Sequence, residues 1–256
     1  MNDEELLLSV IEDKISECEN NSVIASTDFL DLRKQSIAVS YLKRKKGVRW
    51  LLWGGYENAE RKLLIFLPFY IEDFFEYIKE NSDDQPIVLF RADKDGFSAL
   101  SHRDYLGSIL GLGIRREKIG DILVDEKGCY FFALPVISKF IQSNLFKAGR
   151  GTLKLSVMSD VGELNYTPNI KEKLCFVQTP RLDSVCSGVF SLSRTKASEF
   201  IEKGFVFVND EQILKPDFRL KAADKIVIKG KGRAIIRDDS GKSKKDRIAL
   251  IVDVFI

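Results

Sequence analysis

A single histidine, His102, stands in the 256 residues, and only four cysteines, Cys18, Cys129, Cys175 and Cys186, accompany it. The cysteines are scattered with no Cys-x-x-Cys pair, which argues against a zinc site and against a disulfide framework. Reduced, buried thiols are expected, and with them a cytoplasmic setting. No apolar run approaches 18 residues, so no membrane span is expected. The opening MNDEELLLSV is acidic and lacks the basic region of a secretory signal. No phosphate-cradling P-loop and no dinucleotide-binding glycine fingerprint occurs. Ser101-His102-Arg103-Asp104 holds triad residue types, but consecutive positions on one helical turn cannot form a Ser-His-Asp relay. Asp93, Asp95 and Gly96 resemble part of a calcium loop whose closing Glu is missing. No catalytic residue, no metal and no cofactor is therefore expected.

What is present is an uneven distribution of charge. Residues 181–256 carry 16 Lys+Arg against 11 Asp+Glu, a net of +5, which leaves −3 for residues 1–180 of the total +2. A basic C-terminal module on a mildly acidic remainder fits RNA binding by one part of the chain. Within the basic part, residues 181–209 read RLDSVCSGVFSLSRTKASEFIEKGFVFVN. Leu182, Val185, Val189 and Phe190 recur at helical spacing, and Asp183 is placed to cap that helix. Ser193 is a good N-cap for a second helix, with Ala197, Phe200 and Ile201 as its buried stripe and Gly204 as its C′ residue. Arg194 and Lys196 then lie in the first turn, where cations oppose the helix dipole unless an anion arrives. Val206 and Val208 alternate as in a strand, and a later strand at 225–229 runs into Gly230-Lys231-Gly232-Arg233. This order of helices and cations resembles the small RNA-binding module named after ribosomal small-subunit protein four, here the S-four domain. The resemblance covers about 50 residues. Two turns depart from it: Asn209-Asp210 replaces Asn-Gly, and Ala223-Asp224 replaces Gly-Asp.

The expected architecture is α+β with three small domains. Residues 1–82 form an N-terminal α/β domain that opens with an acidic helix bearing Leu6, Val10, Ile11 and Ile15. Strands at 50–53 and 62–66 are joined across Gly54-Gly55. Between Arg33 and Arg49 lie seven basic residues and no acidic one. Lys43, Arg44, Lys45 and Lys46 are thus candidates for a second RNA contact, with Tyr41 and Trp50 as stackers. Residues 83–160 read β-α-β-β-α-β, the order of ferredoxin-like domains and of RNA-recognition motifs. No clear aromatic RNA-binding signature is visible there, and Tyr130, Phe131 and Phe132 suit core packing on at least one face. His102 and Arg103 are further candidate contacts. Residues 161–179 read as a linker, and 180–256 as the S-four domain with a terminal hairpin whose turn, Lys242 to Lys245, extends the basic face.

Three segments carry a wider resemblance: Gly54 to Arg61 (GGYENAER), Leu100 to Gly107 (LSHRDYLG) and Gly111 to Ile122 (GLGIRREKIGDI). With the S-four match, they make the whole chain similar to the YlmH family of Gram-positive bacteria. That resemblance implies a non-enzymatic, monomeric factor that binds rRNA of the large ribosomal subunit, with peptidyl-tRNA, in ribosome-associated quality control by C-terminal alanine tailing. It maps Arg181, Ser193, Arg194, Lys196 and Lys203 onto the RNA-facing pattern, and Lys229, Lys231 and Arg233 extend it. Enzymes with S-four modules need signatures absent here, such as the two nucleotide-binding motifs of tyrosyl-tRNA synthetases. The competing reading is a protein-interaction scaffold that uses the S-four domain as an RNA tether.

Overall fold

The computed structural model describes residues 2–95, 99–158, 160–242 and 247–255. The chain forms two compact units, residues 1–166 and 167–256.

In the first unit, α1 (Asp3–Asn21) starts at an Asn2 capping box. It buries Leu7, Ile11, Ile15 and Cys18. Ile11 and Ile15 are buried as expected and Val10 is half-buried, whereas Leu6 is half exposed and Leu7 takes its place in the stripe. Then come β1 (Ala25–Ser26), α2 (Leu32–Leu42), β2 (Trp50–Trp53), β3 (Leu63–Phe66) and α3 (Phe74–Glu80). The three strands form a small antiparallel sheet in the order β1-β3-β2. Trp50 pairs with Phe66 and Trp53 with Leu63, as expected for strands joined across Gly54-Gly55.

The same unit continues with β4 (Val88–Lys94), α4 (His102–Gly111), β5 (Ile119–Val124), β6 (Gly128–Ala133), α5 (Ser138–Asn144), β7 (Lys147–Ala148) and β8 (Gly151–Val157). Their sheet runs β5-β6-β4-β8-β7 and is antiparallel throughout. With the short β7 set aside, the first and third strands of the β-α-β-β-α-β order are central, as a ferredoxin-like domain requires. Phe90, Phe131, Tyr105, Ile109 and Ile141 pack between this sheet and its helices. Ser101 opens α4, and the Asp104 carboxylate accepts both the Ser101 amide (2.8 Å) and its hydroxyl (2.6 Å), in keeping with their spacing.

The second unit holds β9 (Ile170–Val177), α6 (Leu182–Phe190), α7 (Arg194–Glu202), β10 (Val206–Val208), β11 (Glu211–Gln212), β12 (Lys225–Ile228), β13 (Gly232–Lys242) and β14 (Ile248–Phe255). The six strands order as β11-β10-β12-β13-β14-β9. Leu182, Val185, Val189, Ala197 and Ile201 are buried against Val206, Ile226, Ile228 and Val252. The stretch expected as a linker therefore contains a full edge strand, paired with β14 from Val177↔Ile248 to Ile170↔Phe255. That pairing joins residues some 75 positions apart, and no local signal announces it. Lys173 on this strand donates to the Val189 carbonyl (2.9 Å), placing a cation at the C-terminal end of α6. Close approach of β9 also explains Gly188: a Cβ there would sit 2.6 Å from the Cys175 sulfur.

The α7 terminus is built as the sequence predicts. Gly204 has φ +74°; its amide donates to Ile201 (2.9 Å), that of Phe205 donates to Phe200 (2.9 Å), and the Phe200 and Phe205 rings meet edge to face. This is a Schellman ending with its apolar clasp. Two turns carry strain. Asn209, Asp210 and Ala223 have φ of 51°, 67° and 67°, a region disfavoured for residues with a Cβ. Asn209 has compensation, bonding the Asp224 carboxylate (2.8 Å) and the Lys225 amide (2.9 Å), whereas the Ala223 side chain can make no such bond. Ala223→Gly is therefore expected to stabilise this unit by about 0.5–1 kcal/mol. Thermal unfolding should show a rise of roughly 3–6 °C; an unchanged or lower midpoint would show that the strain is relieved elsewhere.

Candidate nucleic-acid interface

The basic surface of the second unit is organised by one buried carboxylate. Asp183, whose side chain is only 5% exposed, accepts Arg181 Nε (3.2 Å) and Nη2 (3.1 Å) together with Arg194 Nε (3.2 Å). The Ser184 amide (2.7 Å) and hydroxyl (3.2 Å) complete its shell. Burial alone would raise the Asp183 carboxyl, but the hydrogen bonds from Arg181 and Arg194 outweigh it and hold the group below the ordinary carboxylate value. Asp183 is thus not mainly the cap of α6. The Leu182 and Asp183 amides at that helix start donate instead to the carbonyls of Phe218 (2.8 Å) and Pro216 (3.0 Å). The carboxylate is freed to tie the first turns of α6 and α7 together through two arginines.

At the neighbouring start of α7, the Ser193 hydroxyl accepts the Lys196 amide (3.2 Å). The Arg194 and Thr195 amides have no acceptor within the helix, as at any helix start. Arg194 is 62% exposed and Lys196 is exposed. The Asp183 bridge thus brings Arg181 beside Arg194 at the face formed by the α7 start, with Ser193 as its cap and Lys196 exposed in its first turn. Such a face suits a phosphate group.

The remaining candidates lie elsewhere on this unit. Lys203 sits at the far end of α7, about 13 Å along the axis from Arg194, with Glu199 at 3.8 Å. The Lys229 amide donates to the Phe205 carbonyl (2.9 Å), so the β12–β13 turn adjoins that same helix end. Lys203, Lys229 and Lys231 form a second, exposed basic group there. Arg233 is half-buried with its guanidinium 3.9 Å from the centre of the Phe255 ring, a cation–π contact. Of the terminal turn, Ser243, Lys244 and Lys245 lie outside the described residues.

In the first unit, the recognition face of the central sheet is closed by the protein itself. Leu89, Tyr130 and Phe132 project from β4 and β6 into a core shared with Phe29, Leu63 and Ile65. Tyr56 stacks on Phe132 at 5.4 Å. Arg91 lies 4.5 Å from the Tyr130 ring and pairs with Asp125 (2.5 Å) and Asp93 (2.8 Å). RNA-recognition motifs stack bases on this face; here it is core, so Tyr130, Phe131 and Phe132 all serve packing.

The segments that carry the wider resemblance converge beside that core. The Asp121 carboxylate accepts the Tyr56 hydroxyl (2.9 Å) and the Glu60 (2.6 Å) and Arg61 (3.0 Å) amides. Arg61 and Arg116 both donate to the Ile119 carbonyl, at 3.1 and 2.5 Å. These residues fold the 54–61 loop onto β5, a structural role. His102 stands at the outer edge of this joint. Desolvation and the Arg116 charge lower its pKa, which disfavours the charged imidazole there. Arg103 beside it is exposed.

The basic cluster of the first unit is split. Lys45 pairs with Glu12 on α1 (2.5 Å) and lies 5.4 Å from the Tyr41 ring, while the Tyr41 hydroxyl bonds the same carboxylate. Trp50 packs on the core around Ile11 and Leu42. Neither Tyr41 nor Trp50 is thus presented as a stacking surface. Lys43, Arg44 and Lys46 are exposed.

A small antiparallel sheet behind two short helices with arginines at their starts, joined to a chain that also holds a ferredoxin-like domain, defines a class of RNA-binding-module proteins. Comparison with known proteins agrees. Residues 180–226 match the "S4 domain" family, and residues 81–160 match the family described as "Putative RNA-binding domain in YlmH". Ribosome-associated protein quality control protein P2 of Bacillus subtilis (strain 168) is 31% identical over 223 residues, covering 86% of this chain and 83% of that protein. The chain belongs to the YlmH family. A solved structure of the cell division protein ylmH from Streptococcus pneumoniae shares the fold, with a TM-score of 0.50 and 22% identity over 62% of this chain and 92% of that one. Among the described residues, no helix is long and apolar enough to cross a membrane.

Proposed function

We propose that the chain is a non-enzymatic, cytoplasmic RNA-binding factor that acts as a monomer on the large ribosomal subunit. There it holds rRNA through Arg181, Ser193, Arg194 and Lys196, with Lys203, Lys229, Lys231 and Arg233 as a second row. The observation that carries this reading is the Asp183 bridge, which fixes two arginines beside an open helix start without neutralising both. The name of the Bacillus subtilis relative supports ribosome-associated quality control as the setting; within it we place peptidyl-tRNA on the subunit and C-terminal alanine tailing as the process served. The work is positional: cations hold phosphates of a folded RNA surface, and its shape supplies specificity.

Co-sedimentation of the purified protein with isolated ribosomal subunits tests the reading. Binding to the large subunit and not to the small one is expected. Preference for the small subunit, or binding to neither, would overturn it.

A further inference from the structure

The loop after β3 presents one aromatic ring, Phe69, that the first unit's core leaves outside. Phe69 is 81% exposed and Tyr70 is 48% exposed, and their rings meet edge to face at 5.7 Å. The loop is nevertheless held from several sides. Arg49 donates to the carbonyls of Phe69 (3.0 Å) and Glu72 (3.1 Å), and the Tyr70 hydroxyl donates to the Ser22 carbonyl (3.1 Å). A fixed, outward phenylalanine loses little on ordering when a flat partner arrives.

Its neighbours are cationic. The Leu67 amide donates to the Arg49 carbonyl (3.0 Å), so the chain leading to Phe69 runs beside the end of the 43–49 basic segment. Gly47, Arg49 and Phe69 line one open cleft of about 240 Å³, floored by Ile15 and Cys18 and edged by Glu19. Drug-sized sites run to roughly 300–1,000 Å³, so this cleft suits one ring system rather than a larger ligand. Lys46 is exposed next to Gly47 in the chain, and Lys43 and Arg44 are exposed just before it, while Lys45 is turned to Glu12.

We propose that Phe69, with Arg44 and Lys46, forms a second RNA site that stacks one unpaired base while the cations hold the flanking phosphates. Aromatic faces accept any base, and adjacent cations track the backbone, the combination found in single-strand binders. The seven-residue excess of positive charge between Arg33 and Arg49 favours a polyanion over a neutral or basic protein surface. The site goes beyond the S-four reading and does not depend on it.

The test uses full-length protein carrying Arg194→Ala and Lys196→Ala, so that the S-four face is silenced, and fluorescence anisotropy with a labelled single-stranded RNA and the matching duplex. Adding Phe69→Ala should weaken single-strand binding by about 5- to 150-fold. Phe69→Trp should retain it, and duplex binding should hardly change. Because the ring is exposed, the alanine variant is expected to fold, with its melting temperature as the check. Unchanged single-strand affinity overturns the site. Equal losses on single strand and duplex also overturn it, since a duplex offers no free base face. Normal RNA binding with loss of a protein from ribosome pull-downs would assign the surface to a protein partner instead.

Discussion

Arg194→Ala combined with Lys196→Ala is expected to lower affinity for the large subunit by about 100-fold or more, each lost charge-assisted bond to phosphate contributing roughly 1.5–3 kcal/mol. The fold should survive. Both side chains are exposed, and both cations stand at the unfavourable end of the α7 dipole, where removing a like-signed charge gains about 0.3–1 kcal/mol. Arg181 remains to hold Asp183, so the lost Arg194 contact roughly offsets that gain. The measurement is subunit affinity beside a melting curve. A folded double variant that binds like the parent would remove these residues from the interface.

Asp183→Ala should also weaken binding, by about 10-fold, although it removes a negative charge from a basic face. Counting charges alone predicts the opposite. The geometry decides: Asp183 orients both Arg181 and Arg194, and without it two long side chains must be ordered by the RNA at an entropic cost of up to about 2 kcal/mol each. The same substitution should destabilise the second unit by roughly 1–3 kcal/mol through lost hydrogen bonds to a charged group. Because the folded-state pKa of Asp183 is lowered, its contribution is complete above the ordinary carboxylate range near pH ~4 and is lost as pH falls through the folded value. Asp183→Asn should flatten that acid limb of the stability curve. Tighter RNA binding by Asp183→Ala would show that Asp183 acts only as a counter-charge.

Much of this was legible from local patterns. The spacing of Leu182, Val185 and Val189, the Ser193 cap and the Gly204 stop locate α6 and α7 because each is a short-range signal. The β-α-β-β-α-β order was readable for the same reason. What could not be read depends on long-range contacts. Among the described residues strand β9 pairs with β14 alone, and its consecutive charges Lys171, Glu172 and Lys173 resemble a solvated connector. β6 is buried on both faces, so its sequence shows that the sheet is covered but not by what. Asp183 looks like a cap in sequence, since Phe218 and Pro216, which take that role, lie more than 30 residues later. Phe69 carries no motif; only its exposure and the Arg49 tether mark it out.

The most direct test of the central claim is the salt dependence of binding to isolated large subunits. Contacts to about five phosphates predict a slope of log affinity against log salt of roughly −3.5 to −4.5. The Arg194/Lys196 double variant should be shallower by about 1.5–2, one step for each phosphate released. A parental slope near zero, or identical slopes for parent and variant, would contradict an interface built on these cations.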